Sequence, residues 1–170
     1  MKKIFFLICV FYSISNLYSQ NITLDELISL RKKDLAEIEE FVSNKNWAFL
    51  SANEITDDKM GKAIFTFNKS TYNDSAECFL TYLYSDTRTR LNLQFINKDQ
   101  YNRYISRLKT LGSQLILSKV KANRIIKTYQ IAKTIIQVTI SSKNENNISE
   151  IGYDIFIITN EDYNANFLEE

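Results

Sequence analysis

Apolar residues recur along the chain at two spacings, three-to-four and two, and the switches between them divide it into elements. Between residues 23 and 43, Leu24, Leu27 and Ile28 make one helical face and Leu35, Ile38, Phe41 and Val42 make another. The two sets fall out of phase across Arg31-Lys32-Lys33, which predicts a helix-turn-helix or a kinked pair rather than one rod. Each piece has its own start signal. Thr23 with Glu26 and Asp34 with Glu37 have the capping-box spacing, in which two side-chain oxygens satisfy two orphan amides. Strand patterns follow over 47–51, 62–68, 77–85 and 89–96. Ala63, Phe65 and Phe67 share one face of the second strand, and in the fourth Leu91, Leu93 and Phe95 oppose Arg90, Asn92 and Gln94. One-sided alternation belongs to an antiparallel sheet covered on one face.

The pattern then repeats. Asn97 is a good N-cap, and Tyr101, Tyr104, Ile105 and Leu108 recur at helical spacing until Gly112 ends the helix. Strands are expected at 114–120, 124–131, 134–142 and 153–159, with Asn144 to Asn147 as a loop. At Ala132-Lys133 a turn and one long bent strand both fit. Each half therefore reads as helix followed by about four strands, one over about 23–97 and one over about 98–164. A local echo accompanies this: Phe95-Ile96-Asn97-Lys98-Asp99 against Ile158-Thr159-Asn160-Glu161-Asp162, either a trace of repetition or two strand ends with Asn caps. The predicted fold class is α+β, with tandem helix-plus-antiparallel-meander repeats in one curved sheet and helices on one face.

That element order, from Thr23 to Asn164, resembles the tandem helix-plus-sheet repeat of the beta-lactamase inhibitor protein group. Its single unit is similar to the small outer-membrane lipoprotein of the barrel-assembly machinery. The resemblance rests on pattern, and it implies a protein-binding role without assigning a binding residue. The inhibitor group carries disulfides, and this chain departs from it there.

The N-terminus has another character. Lys2 and Lys3 precede an apolar run from Ile4 to Ile14, and small Ser19 stands before Gln20. This predicts an export signal over 1–19, with a single domain over 20–170. The run falls short of the roughly 20 residues a bilayer span needs, although a buried first helix and a retained anchor fit the same letters. Cys9 lies inside the run, where a lipid anchor cannot use it. The Ser-Gln junction resembles signals of Bacteroidetes-type secreted proteins. Asp74-Ser75-Ala76 resembles their O-glycosylation acceptor, which implies modification of Ser75; a plain turn is the alternative. The expected location is the periplasm or outside the cell.

Removing Lys2 and Lys3 changes the formal charge from +1 to −1. A near-neutral chain with no basic block gives no electrostatic case for nucleic acid. Cys78 alone would remain, which forbids an internal disulfide and predicts a buried thiol, or else an intermolecular bond.

Candidate chemistry is sparse. The chain has no histidine, which removes the Ser-His-Asp triad, Cys-His pairs and mixed Cys/His zinc sites. Three isolated glycines make no phosphate loop. No cofactor or metal is expected. Glu37, Glu39 and Glu40 read as a solvated helix face, Asp57 and Asp58 as a loop, and Asp99 and Asp162 as early-helix caps or cation ligands. Ser113, Ser118 and Lys119 lack the spacing of a Ser/Lys dyad. Trp47, at the mouth of the first strand, is a core residue or a surface anchor for protein or glycan. Tyr82 and Tyr84 alternate against Phe79, Thr81 and Leu83, so that with Arg88 and Arg90 they form a binding platform on an open sheet face, or else cross-strand packing. The expectation is a non-enzymatic periplasmic or secreted protein-binding domain, inhibitor-like, with another envelope or secreted protein or a glycan as partner and no stable membrane insertion. An envelope structural or assembly accessory protein and a histidine-free carboxylate hydrolase are the alternatives.

Overall fold

A computed structural model describes residues 22–72, 75–145 and 148–168; the predicted signal, Asp74 of the glycosylation triplet, and Asn146 and Asn147 of the expected loop lie outside the described residues. The first half contributes α1 (Leu24–Leu30), α2 (Leu35–Ser43), β1 (Ala48–Asn53), β2 (Gly61–Lys69), β3 (Ala76–Tyr84) and β4 (Thr89–Phe95). The second contributes α3 (Lys98–Thr110), β5 (Gln114–Lys121), β6 (Arg124–Ile131), β7 (Thr134–Glu145), β8 (Ile148–Thr159) and the short α4 (Asn160–Asn166).

Local chemistry sets these boundaries. Both expected capping boxes form: Thr23 Oγ1 accepts from the Glu26 amide while the Glu26 carboxylate accepts from the Thr23 amide, and Asp34 and Glu37 do the same. The helix break at Arg31–Lys33 is therefore written by two separate starts. Asn97 caps α3 through the Gln100 amide, and Gly112 takes φ +68° just past its end, the left-handed conformation a helix stop needs. Ala122 and Asn123 have φ of 48° and 59°, the two-residue hairpin turn that matches strand twist. Ala132 at φ 50° makes a second reversal, which settles the join at Ala132-Lys133 as two strands and a turn. β7 and β8 run to Glu145 and Ile148, so ladder pairing extends into the segment expected to be a loop.

All eight strands join one open antiparallel sheet in the order β1-β2-β3-β4-β8-β7-β6-β5. Each half is a meander, and the two meet where β4 pairs with β8, Leu93 opposite Ile155. Phe65, Leu80, Leu93, Ile155 and Val138 stand opposite one another across five neighbouring strands, each essentially sealed from solvent. That row packs into one core with Leu27, Ile38, Val42 and Leu108 of α1, α2 and α3, the helices that cover this face. α4 leaves β8 differently. Its Tyr163 joins Ile135 and Ile158, residues on the side of the sheet away from that core.

Cys78 lies in this core beside Gln100 of α3. Burial pushes its thiol up to about 12, so almost no thiolate forms at ordinary pH. An aromatic disulfide reagent at pH 8 is expected to leave Cys78 of the native protein unmodified and to modify it in denaturant. Fast reaction of the folded protein would contradict this placement.

Candidate binding site

The face opposite the helices is lined by the other residue of each alternating pair. β4 presents Asn92 and Gln94, β8 presents Asp154 and Phe156, and β7 presents Gln137 and Thr139. Register places Asp154 between Gln94 on one side and Thr139 on the other, at the centre of the sheet. Gly152 on β8, with no side chain, leaves room beside Ser141, and Arg124 closes that end from β6. Together these groups line a hollow of about 440 Å³, with Phe79 and Phe156 as its aromatic wall.

Asp154 is the unusual member. Its Oδ2 accepts from Asn92 Nδ2 at 2.8 Å and from Gln94 Nε2 at 3.4 Å. Burial nevertheless raises its pKa, against the opposing pull of those two amides and of the Arg124 charge. The arrangement offers an acceptor flanked by amide donors, a guanidinium and hydroxyls, all held on strands rather than on loops. Among the described residues no cluster of three or more metal-capable side chains forms.

The residues singled out from sequence lie elsewhere. Trp47 is buried and packs against Phe67 at 5.6 Å, so it serves the core and cannot anchor a partner. Tyr82 is only 2% exposed, faces the helices with Cys78 and Leu80, and donates its hydroxyl to the Lys33 carbonyl. Tyr84 stacks on it at 5.5 Å. The expected tyrosine platform is thus inverted: Phe79, Thr81 and Leu83 occupy the uncovered side. Arg90 does point to that side, but both ends of its fork are held by Asp162, at 2.7 and 2.9 Å. Arg88 joins the same carboxylate at 3.7 Å and keeps a half-exposed side chain. Asp162 is a buried ion-pair partner rather than a cap, and the cap of α4 is Thr159 where the echo had placed Asn160. Asp99 sits exposed in the first turn of α3. Glu37 pairs with Lys33, Glu39 accepts from Ser43, and Asp57 and Asp58 are exposed in a turn closed by Thr56 and Lys59. Ser118 and Lys119 are neighbours on β5 and point to opposite faces. Ser75 is exposed.

The polar groups of the hollow had one legible signal, the Arg90-Asn92-Gln94 face of β4. Asp154, Gln137 and Thr139 become neighbours of that face only because β8 is inserted beside β4. Among the described residues no helix is long and apolar enough to cross a membrane. Comparison of the chain with protein-family models, with curated proteins and with solved structures finds no match.

Proposed function

We propose that this chain is a non-enzymatic binding protein of the periplasm or the extracellular space, which holds another protein on the uncovered face of its sheet. Asp154 carries the proposal. A carboxyl with a raised pKa is fully favourable to folding only below its unfolded value, about 3.9. As the pH climbs through the folded value that contribution is lost, so at neutral pH its ionisation works against stability. A group retained at such a cost, in the middle of an uncovered hollow, is better explained by a ligand than by the fold.

Asp154→Asn is therefore expected to raise the melting temperature at pH 7, with the gain shrinking toward pH 3, while weakening partner capture. An unchanged melting temperature across that range would remove the argument. Thr139→Arg, which fills the hollow, is expected to abolish retention of the dominant protein that the immobilised chain captures from envelope extract or culture fluid. Retention unaffected by Thr139→Arg would sink the proposal. An assembly accessory protein would co-sediment with an outer-membrane complex instead of retaining one soluble partner. Hydrolase chemistry draws support from the same hollow, where Glu77 lines the wall as a second carboxylate. That reading requires turnover of a glycan or ester substrate that Asp154→Asn eliminates.

A further inference from the structure

β5 is an outer strand of the sheet, and among the described residues no strand pairs the backbone amides and carbonyls of its far edge. Its large apolar side chains are exposed as well: Leu115, Ile116, Leu117 and Val120, the last at 77%, with Ile125 next to Val120 on β6. Two helices precede the first meander, whereas α3 passes directly into β5 through residues 111–113. Val120, Ile125, Ile140 and Tyr153 stand in one row across the helix side of four strands. Tyr101 of α3 stacks on Tyr153 at 4.6 Å, and burial falls away along the row from there to Val120.

Charge is segregated in the same region. Residues 100–144 contain nine lysines and arginines and no aspartate or glutamate, although the whole chain balances. Lys119 and Lys121 project from β5 on the side opposite Val120, with Arg124 beside Lys121. Lys119 and Lys121 have no acidic partner among the described residues.

We infer that the β5 edge receives an extended acidic segment of another polypeptide, which adds to the sheet as a ninth strand. The register dictates its pattern: apolar side chains on the helix side against Leu115 and Val120, and carboxylates on the other side against Lys119 and Lys121. Other occupants fit less well. The hydrocarbon core of a bilayer offers neither donors nor acceptors to an unpaired edge. A second copy of β5 would bring lysines toward lysines, the device by which edge strands resist self-pairing. An alternating apolar and acidic strand satisfies backbone, apolar surface and charge together.

The probe is a labelled eight-residue peptide of alternating valine and glutamate, its binding to the full chain read by fluorescence anisotropy. Saturable binding is expected, weakened about tenfold or more by K119E/K121E and by raised salt, and absent for the alternating valine and lysine peptide. N-methylation of alternate peptide nitrogens separates strand addition from charge attraction: the set facing β5 is expected to abolish binding and the outward set to preserve it. Equal effects of the two sets overturn the inference. So does binding of phosphatidylglycerol vesicles but not of the peptide, or a dimer in sedimentation that K119E/K121E leaves intact. Unchanged circular dichroism and melting of K119E/K121E exclude misfolding as the cause of a loss. Thr139→Arg, two strands in from the edge, is expected not to weaken peptide binding, so this edge and the central hollow fail or succeed separately.

Discussion

Asp162→Ala is expected to cost about 3 kcal/mol of folding stability, the lower end of what removing one partner of a buried ion pair costs. The side chain of Asp162 is 1% exposed and that of Arg90 17%, so the pair is largely out of water. Both oxygens are engaged by the Arg90 fork, and Oδ1 also accepts from Asn166 at 2.8 Å. Truncation strands a guanidinium that still lies 5.1 Å from the Phe167 ring. It also removes the tie between β4 and α4, whose sequence positions are 72 residues apart. Arg90→Met in the Asp162→Ala background is expected to recover much of the loss, because it removes the stranded charge. Urea denaturation of the single and double variants measures both. A cost of Asp162→Ala below about 1 kcal/mol would place the pair with surface salt bridges and against this account.

Leu93→Ala is expected to cost about 3–4 kcal/mol, since a buried leucine leaves both a lost transfer term and a cavity. Leu93 stands between Leu80 and Ile155, at the junction of the two meanders, and is fully buried. The backbone ladders on both sides hold the strands apart, so the gap cannot close by collapse. Because the buried row runs unbroken through the junction, both halves are expected to melt in one transition at a lower midpoint. Two resolved transitions, monitored by Trp47 fluorescence for the first half and by far-ultraviolet circular dichroism for the whole, would show the halves to be energetically independent.

The helix starts were legible in the sequence because they depend on residues within four positions of one another, whereas the turn at Ala132 needed the structure. Thr23 with Glu26, Asp34 with Glu37 and Asn97 with Gln100 each act locally. The face of β3 was not legible, because both of its faces read as apolar. Phe79 and Leu83 compete there with Leu80 and Tyr82, and only pairing with Phe65 and Leu93 decides which set turns to the helices. Arg90 is expected on a binding platform, and its ion pair is not legible in the sequence because Asp162 lies so far along the chain. Asp154 has no local signal between Tyr153 and Ile155. Its meaning comes from Asn92 and Gln94, which reach it through a strand order that no short-range pattern encodes.

That strand order has a consequence for assembly in time. As the chain emerges from its N-terminus, β1 to β4 can pair in turn, but the neighbour that β4 needs is the last of the described strands. Until residues 148–159 emerge, β4 and β7 each keep a bare edge, with Leu91, Leu93 and Phe95 waiting for their cross-strand partners. Non-local closure of this kind is slow and exposes the chain to wrong pairing. β8 acts as a keystone, and a chain truncated before Ile148 would display two central edges at once. Such a fragment is expected to aggregate rather than persist as half a sheet.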